Sequence, residues 1–227
     1  MTIDALNLQF LSDLKNNNNR EWFAENKLNY EKHQAKLVSF AEKMMDCLSE
    51  HDKIEYKSGK KSVIRVYRDI RFSKDKSPYK TYSGMGFRRS SQLLRGGYYL
   101  HIEPGNSFVG GGFWEPNKED LLKIRKGIEF DEGEFRKIIT SEEFVSVFGK
   151  LKGNQLKTCP KGFSKDSSAI DLLRYKQYLL TKEFSDDEVL LDTFFDEADK
   201  VFKAMRPFLD FMSYILTTDE NGVPLFE

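Results

Sequence analysis

The tetrapeptide EPGN at residues 103–106 constrains the fold more than any other feature of the sequence. Proline presets φ at the first central position of a turn, and glycine tolerates a positive φ at the second. The flanking stretches predict strands at 97–103 and 107–114. Because such a short connection joins antiparallel neighbours, we expect an antiparallel sheet in the middle of the chain.

Two more strands are predicted upstream of this hairpin, at 63–72 and 82–88. Successive residues of a strand point to opposite faces of the sheet, and the side chains of 63–72 alternate accordingly. The core face would carry Ile64, Val66, Ile70 and Phe72, and the other face would carry Arg65, Tyr67, Asp69 and Arg71. Arg68 falls on the apolar face, where an arginine needs a carboxylate partner or an anionic ligand.

Helical periodicity occupies the chain before and after the predicted strands. In the first fifty residues, apolar side chains recur at the spacing of a buried helical stripe, namely Tyr30, Leu37, Ala41, Met44 and Leu48. After Asn117 the chain is again predicted to be helical, including residues 168–180, and Pro207 should kink or split the last helix. The expected fold class is α+β, a central antiparallel sheet flanked by N-terminal and C-terminal helices, in a single domain spanning residues 1–227.

The distribution of charge narrows the class of partner. The chain has 36 basic and 36 acidic residues, which argues against a surface built as a whole for nucleic acid. Residues 53–95, however, hold thirteen Lys or Arg against three Asp or Glu, whereas residues 183–227 hold three against twelve. The basic segment could therefore face an anionic partner or pack against the acidic tail.

Cysteine and histidine usage predicts neither disulfides nor metal. Cys47 and Cys159 lack CxxC spacing, which indicates reduced thiols and a cytoplasmic protein. His33, His51 and His101 are far apart in sequence, so no metal site is predicted. There is no leader-like start and no run of eighteen apolar residues, so no membrane association is expected. Dinucleotide, P-loop and serine hydrolase motifs are missing, and neither a cofactor nor an oligomeric state follows from the sequence.

The main candidate site is the cation-rich stretch at residues 65–80. Guanidinium groups present a planar fork of donors that suits phosphate or carboxylate, and lysine adds a mobile point charge. We therefore expect a small anionic ligand in a pocket on the central sheet. Its predicted contacts are Arg65, Arg68 and Arg71 binding the anion, Lys76 and Lys80 closing over it, and Asp69 orienting a guanidinium.

Three other interpretations of the basic residues remain open. Asp69 and Asp75 could pair with neighbouring cations while the lysines keep a sheet edge from aggregating. Alternatively, Arg68 and Asp69 could belong to a structural network with Asp171 or Glu115. In the third, residues 53–95 form a binding module for nucleic acid or an acidic protein, although no RNA-binding signature or helix-turn-helix supports it.

A second candidate site lies on the strand that precedes the EPGN turn. His101 and Glu103 share one face with Tyr99, and a carboxylate two residues from an imidazole can orient it as an acid or base. The pair could equally be structural, and as metal ligands it lacks a third partner. The glycines at 110–112 leave room for a ligand or for an aromatic ring such as that of Trp114.

These stretches resemble a family known as domain of unknown function 2461, which is widespread in bacteria. Its motifs are FLSDLKNNNNREWFAENKLNY (10–30), RVYRDIRFSKDKSPYKTY (65–82), YYLHIEPGNSFVGGGFWEP (98–116) and LKTCPKGF with the downstream DLLRYKQY (156–178). The resemblance covers nearly the whole chain and implies a bacterial, intracellular protein with one domain. It implies no activity, and no catalytic role is carried over from it.

Overall fold

The elements follow the predicted order of helices, sheet and helices. The computed structural model describes residues 2–219 and 221–225. Before the sheet come α1 (Ala5–Asn16), α2 (Arg20–Glu25), α3 (Lys27–Ser49) and α4 (Gly59–Ser62). The next elements are β1 (Ser83–Arg88), β2 (Gly97–Ile102), β3 (Ser107–Phe113), α5 (Lys118–Phe130), α6 (Glu132–Ile139), α7 (Glu142–Phe148) and α8 (Ile170–Leu173). The last are β4 (Tyr178–Phe184), α9 (Asp186–Leu190), α10 (Phe194–Ala204) and α11 (Arg206–Thr217).

The four strands form one antiparallel sheet in the order β1-β2-β3-β4. Three of them confirm the strands predicted at 82–88, 97–103 and 107–114. Gly105 adopts a φ of 76° in the turn between β2 and β3, as the EPGN sequence requires. The α+β fold class is therefore confirmed.

The strand predicted at 63–72 is wrong. Among the described residues, this stretch makes only isolated bridges, from Val63 to Met85 and from Tyr67 to Tyr79. Two residues of its predicted core face are solvent-accessible, with Ile64 40% and Phe72 96% exposed. Side-chain alternation describes the two faces of a strand, but a strand also needs a continuous backbone partner, and this one has partners only near Val63 and Tyr67.

The helix predicted at 168–180 is largely wrong as well. Only α8 is helical there, and the chain then enters β4. The first three residues of β4, Tyr178 to Leu180, are all buried and lack the two-residue alternation that marks a half-exposed strand. Pro207 was predicted correctly, since α10 ends at Ala204 and α11 begins at Arg206, with proline in its first turn.

By its contacts, the chain divides into two compact units. The first comprises the residues up to Phe87, 99–109 and 183–200, and the second comprises 88–98, 110–182 and the residues from Val201 onward. The expectation of a single domain over 1–227 stays a prediction. No helix within the described residues combines the length and apolar character needed to cross a membrane.

Each unit has its own aromatic core. In the first unit, the predicted stripe on α3 is confirmed, because its aliphatic members from Leu37 to Leu48 are at most 1% exposed. The ring of Phe40 meets that of Phe195 edge-on, with centroids 5.1 Å apart. In the second unit, Phe135 of α6 stacks on Phe211 of α11 at 5.1 Å. Such rings bury large apolar areas, which stabilises both units.

Candidate functional site

The predicted anion-binding stretch, residues 65–80, is an irregular ribbon that we call the cationic segment. Its two arms are joined by backbone hydrogen bonds, in which the amide of Arg68 donates to the carbonyl of Pro78 at 2.9 Å and the amide of Lys80 donates to Val66 at 2.7 Å. The connection from Asp69 to Ser77 forms the tip of the ribbon. The cationic segment lies within the first unit, in which all of its contacts described below are made.

Two carboxylates of the cationic segment bind its own arginines. Arg68 Nη1 lies 2.5 Å from Asp75 Oδ2 and also donates to the carbonyl of Ser77 at 3.0 Å. Arg71 holds Asp69 in a two-pronged contact, with Nη2 to Oδ2 at 2.7 Å and Nε to Oδ1 at 3.0 Å. Asp69 and Asp75 therefore pair with neighbouring cations, whereas the accompanying idea that the lysines keep a sheet edge from aggregating stays a prediction.

These contacts lower the pKa of both acids. Hydrogen bonds from Ser77, followed by the one from Arg68, lower the pKa of Asp75 to about 2. The hydrogen bonds of Arg71 lower the pKa of Asp69. Asp171, which was an alternative partner for Arg68, is instead held in the second unit by Arg136, with Nη2 2.7 Å from Oδ1.

The lysines of the cationic segment donate to its backbone. Lys80 Nζ donates to the carbonyls of Arg65 at 2.7 Å and Tyr67 at 2.6 Å, and Lys76 Nζ donates to that of Ile70 at 2.9 Å. Burial, and then the charges of Arg65 and Arg68, lower the pKa of Lys80. Among the described residues, no carboxylate or carbonyl accepts a hydrogen bond from the Arg65 side chain, which is exposed.

Aromatic rings lie beside the arms of the cationic segment. Tyr79 stacks on Phe23 of α2, with ring centroids 4.0 Å apart, and contacts Tyr67 at 5.6 Å. Phe23 also contacts Tyr30 of α3 at 5.0 Å. The amide of Asn18 donates to the carbonyl of Tyr79 and its oxygen accepts from the Tyr79 backbone N–H, which explains part of the role of the NNNN stretch.

The second predicted site forms a connected network of Tyr99, His101 and Glu103, which we call the His101 network. As the strand alternation predicts, Tyr99 and His101 lie on one face of β2, and Glu103, which directly follows the strand, reaches the same imidazole. Tyr99 Oη is 3.0 Å from His101 Nδ1, and His101 Nε2 is 3.2 Å from Glu103 Oε2. The imidazole lies between the rings of Tyr82, at 4.4 Å, and Phe108, at 4.8 Å, both stacked on it.

Burial keeps the His101 network uncharged at its centre. Desolvation lowers the pKa of His101, and Glu103 only partly opposes this. Because the Glu103 carboxylate can only accept a hydrogen bond, Nε2 carries the hydrogen and donates to it, and Nδ1 accepts from the Tyr99 hydroxyl. Burial also raises the pKa of Tyr99 far above its ordinary value, so the phenol stays protonated. A neutral imidazole between a phenol and a carboxylate can pass a proton between them.

The cationic segment and the His101 network are separated by intervening residues. Ile64 borders the cationic segment, and a Cβ added to Gly84 would lie 2.9 Å from Ile64 Cδ1 and 2.7 Å from Tyr99 Oη. Tyr82 then carries the contact to the His101 ring. In the described residues, none of the predicted anion ligands forms a hydrogen bond or ion pair with His101 or Glu103.

Sequence reasoning missed a second buried histidine network, formed by Asn7, His33 and Ser83. Asn7 Nδ2 donates to His33 Nδ1 at 2.9 Å, and His33 Nε2 lies 2.8 Å from Ser83 Oγ. The Asn7 oxygen accepts the backbone N–H of Asp4 at the start of α1, which fixes the orientation of the amide. His33 therefore donates to Ser83 and cannot serve as its base, although the arrangement resembles a hydrolytic triad.

No sequence signal could have predicted this network, because its members are separated by 26 and 50 positions. Burial lowers the pKa of His33 to about 4, which keeps the imidazole neutral. The network ties the first turn of α1 and the first third of α3 to the first residue of β1. Its role is structural within the first unit.

The glycine run on β3 has a packing explanation. A Cβ on Gly111 would lie 2.6 Å from the sulfur of Met205, and one on Gly112 would lie 2.3 Å from the Tyr178 carbonyl. Both contacts are made within the second unit. The close approach that these glycines permit is therefore made by a thioether and by the neighbouring strand, rather than by Trp114.

Across residues 2–219 and 221–225, no three His, Cys, Asp or Glu side chains are grouped so as to hold a metal ion. Searches of curated proteins and of solved structures gave no significant match. The model of one family, described as conserved hypothetical proteins and called DUF2461, matches residues 7–211. The chain therefore belongs to the DUF2461 family.

Proposed function

We propose that this protein binds a small anionic ligand at the cationic segment, through Arg65 and Lys80. The observation that carries the proposal is the convergence of positive charge on Lys80, whose pKa is lowered by burial and by Arg65 and Arg68. Lysine has three N–H donors, and two of those of Lys80 are used by backbone carbonyls. A phosphate or carboxylate accepting the third would neutralise the mutual repulsion of these cations.

The other predicted ligands have supporting roles in this proposal. Arg68 and Arg71 remain bound to Asp75 and Asp69, so they keep the ribbon in shape and add long-range positive potential. Lys76 stabilises the tip of the ribbon by donating a hydrogen bond to the Ile70 carbonyl. In this proposal only two side chains bind the anion directly. They are Arg65, which is exposed, and Lys80, which is half-buried.

If the bound molecule reacts, His101 with Glu103 is the acid–base pair. The neutral imidazole accepts a hydrogen bond at Nδ1 from Tyr99 and donates one from Nε2 to Glu103. A Cβ added to Gly84 would lie 2.7 Å from Tyr99 Oη and 2.9 Å from Ile64 Cδ1, and Ile64 precedes Arg65 along the chain, so the proposal routes the proton through the Tyr99 hydroxyl. A proton could then pass between the ligand and Glu103 through the ring.

The proposal is tested by thermal shift with inorganic phosphate, AMP, glucose 6-phosphate and citrate. A ligand that binds only the folded state raises the melting temperature. We expect one of these anions to raise it by at least about 3 °C, at both low and high NaCl concentration. The shift should disappear in Arg65→Ala and Lys80→Met, each measured against its own unliganded baseline.

Arg88→Ala is the matched control, because Arg88 is also an exposed arginine and lies at the end of β1. It should keep the full shift. The proposal fails if no anion raises the melting temperature, or if Arg88→Ala loses as much of the shift as Arg65→Ala. His101→Asn should retain the shift while losing any turnover of the bound molecule.

A second candidate function is supported by exposed aromatic residues within the basic stretch 53–95. Tyr56, Tyr67 and Phe72 are 64%, 56% and 96% exposed and alternate with cations along the chain. Exposed rings between cations are typical of surfaces that stack the bases of single-stranded nucleic acid. An acidic protein could use the same charges without using the rings.

Salt dependence separates the two candidates. Binding of a fluorescent single-stranded oligonucleotide should weaken by about 10³-fold or more between 50 and 200 mM salt if many lysines contact phosphates. Tyr67→Ala together with Phe72→Ala should then weaken binding further, while the substitution Arg65→Ala alone should have a modest effect. Oligonucleotide binding that is lost only in Arg65→Ala would instead indicate recognition of a terminal phosphate.

A further inference from the structure

A groove between α1, α2 and α3 belongs to neither proposed site. Its volume is about 990 Å³, and all of its lining residues lie in the first unit. α1 supplies residues spaced three or four apart, from Leu6 to Asp13, and α3 supplies a matching face from Asn29 to Ser39. Trp22 of α2, Asn26, and Thr2 and Asp4 ahead of α1 complete the lining. The volume is in the range of small-molecule sites.

The floor of the groove is aromatic. Phe10 of α1 lies 6.1 Å from the ring of Trp22 and 5.0 Å from that of His33, measured between centroids. His33 is fixed by its hydrogen bonds to Asn7 and Ser83, so this side of the groove is a rigid wall. The indole N–H of Trp22 has no acceptor among the described residues and can donate to a ligand.

The rim carries polar groups with unused hydrogen-bonding capacity. Gln9 donates through Nε2 to Asp13 at 2.8 Å, which leaves Gln9 Oε1 and the second oxygen of Asp13 as acceptors. Asn29 donates to Asn26 at 3.2 Å, which leaves Asn29 Oδ1 as a further acceptor. In the part of the chain that the structure describes, no side chain or backbone group bonds to these three oxygens.

The charges around the groove cancel. Asp4 and Lys36 form an ion pair at 3.0 Å, and the other charged residues of the lining are one acid, Asp13, and one base, Lys32, so the formal charges sum to zero. A charged ligand would find no net opposite charge here, whereas a neutral molecule with several hydroxyl groups would find acceptors, donors and a flat apolar surface. Sugars in the pyranose form combine hydroxyl groups with an apolar C–H face that matches an aromatic ring.

We propose that the α1–α3 groove binds a neutral saccharide of one or two pyranose units. Trp22 would stack on the C–H face of a ring, while Gln9, Asp13 and Asn29 accept hydrogen bonds from its hydroxyl groups. This site is independent of the anion site at Arg65 and Lys80.

The test uses the fluorescence of Trp22 in the full-length chain with Trp114→Phe, which leaves Trp22 as the one indole, since the sequence contains two. Glucose, galactose, N-acetylglucosamine, maltose and cellobiose are titrated to about 50 mM, alongside glycine and glutamate. We expect saturable quenching by at least one sugar, with a dissociation constant of about 1 mM or tighter. Amide resonances of α1 and α3 should shift in the same titration.

Two further variants keep the test valid if replacing Trp22 disturbs folding. Gln9 and Asn29 are exposed, and replacing either with alanine should weaken sugar binding at least about fivefold without changing the melting temperature. Asn16→Ala is the matched control, because Asn16 is exposed on α1 outside the groove, and it should bind as the parent does.

Three outcomes would overturn the proposal. They are the absence of saturable quenching by any of the five sugars, quenching by glycine or glutamate alone, and equal loss of sugar binding in Asn16→Ala and Asn29→Ala. Arg65→Ala should leave sugar binding unchanged. Failure of the anion site would therefore leave this result intact, and the reverse also holds.

Discussion

The cationic segment and the two buried histidine networks satisfy their polar groups in opposite ways. In the segment, Arg71 binds Asp69 and Arg68 binds Asp75, so the partners in these two ion pairs lie two and seven positions apart in sequence. In the networks, His33 binds groups that are 26 and 50 positions away. His101 uses neighbours on its own strand, but the rings of Tyr82 and Phe108 enclose it.

This difference determines where charge is available for function. Exposed pairs in the segment are screened by water and contribute little to stability, so its cations can be used for binding. The buried histidines are neutral and held by packing, and changing them costs free energy of folding. We therefore expect substitutions in the networks to affect stability strongly and substitutions in the segment to affect mainly binding.

The largest effect is expected for His101→Ala. Removing the imidazole leaves a cavity between two stacked rings and leaves the Tyr99 hydroxyl and the Glu103 carboxylate without their shared partner. We expect the free energy of unfolding to fall by about 4 kcal/mol, measured by urea denaturation.

The variant His101→Phe separates packing from hydrogen bonding. The variant retains a ring between Tyr82 and Phe108 but forms no hydrogen bond. Its free energy of unfolding should therefore fall by about 2 kcal/mol relative to the wild type. If His101→Phe were as stable as the wild type, the His101 network would contribute nothing to folding, and the contrast with the segment would fail.

The next largest effect concerns pH. His33 is buried and neutral with a pKa of about 4, against an ordinary value of 6.5 in the unfolded chain. Below pH 6.5 the unfolded state binds a proton that the folded state does not, so stability falls as pH drops to about 4 and the loss then levels off. We expect His33 to lower the free energy of unfolding by about 3 kcal/mol between pH 6.5 and 4, measured by urea denaturation at a series of pH values.

His33→Gln is the control for this pH dependence. Glutamine can still bond to Asn7 or Ser83 but does not titrate, so the variant should lose the slope between pH 6.5 and 4 that His33 causes. A slope equal to that of the wild type would assign the pH dependence to His101 or to carboxylates instead.

A smaller effect is expected for Lys80→Met within the cationic segment. Methionine keeps much of the side-chain length but donates no hydrogen bonds to the carbonyls of Arg65 and Tyr67. Because Lys80 is only half-buried, water replaces part of what is lost, and we expect a decrease of about 1 kcal/mol in the free energy of unfolding. A loss as large as that of His101→Ala would show that the segment is part of the folding core.

The smallest effect is expected for Arg71→Ala. Its pair with Asp69 is solvent-exposed, with side-chain accessibilities of 76% and 49%. The melting temperature should be unchanged within error in differential scanning calorimetry, and adding NaCl should make no difference between the variant and the wild type. A clear drop in melting temperature would show that the tip of the ribbon contributes to the stability of the fold.

Local chemistry in the sequence determined the fold class, the β2–β3 hairpin, the helical stripe of α3 and the break at Pro207. These features depend on turn residues, on periodicity and on the missing N–H of proline, all of which act over a few positions. The grouping of Tyr99, His101 and Glu103 was predictable for the same reason, since strand alternation alone places them on one face.

Tertiary structure alone decided the rest. Residues 63–72 have the alternation of a strand but lack a continuous partner, and β4 lacks alternation because its first three residues are buried. The Asn7–His33–Ser83 network and the groove beside it exist because α1, α3 and β1 meet. Such contacts join positions that are distant in the chain, and their stability comes from burial and from the pairing of buried polar groups, which local sequence patterns do not encode.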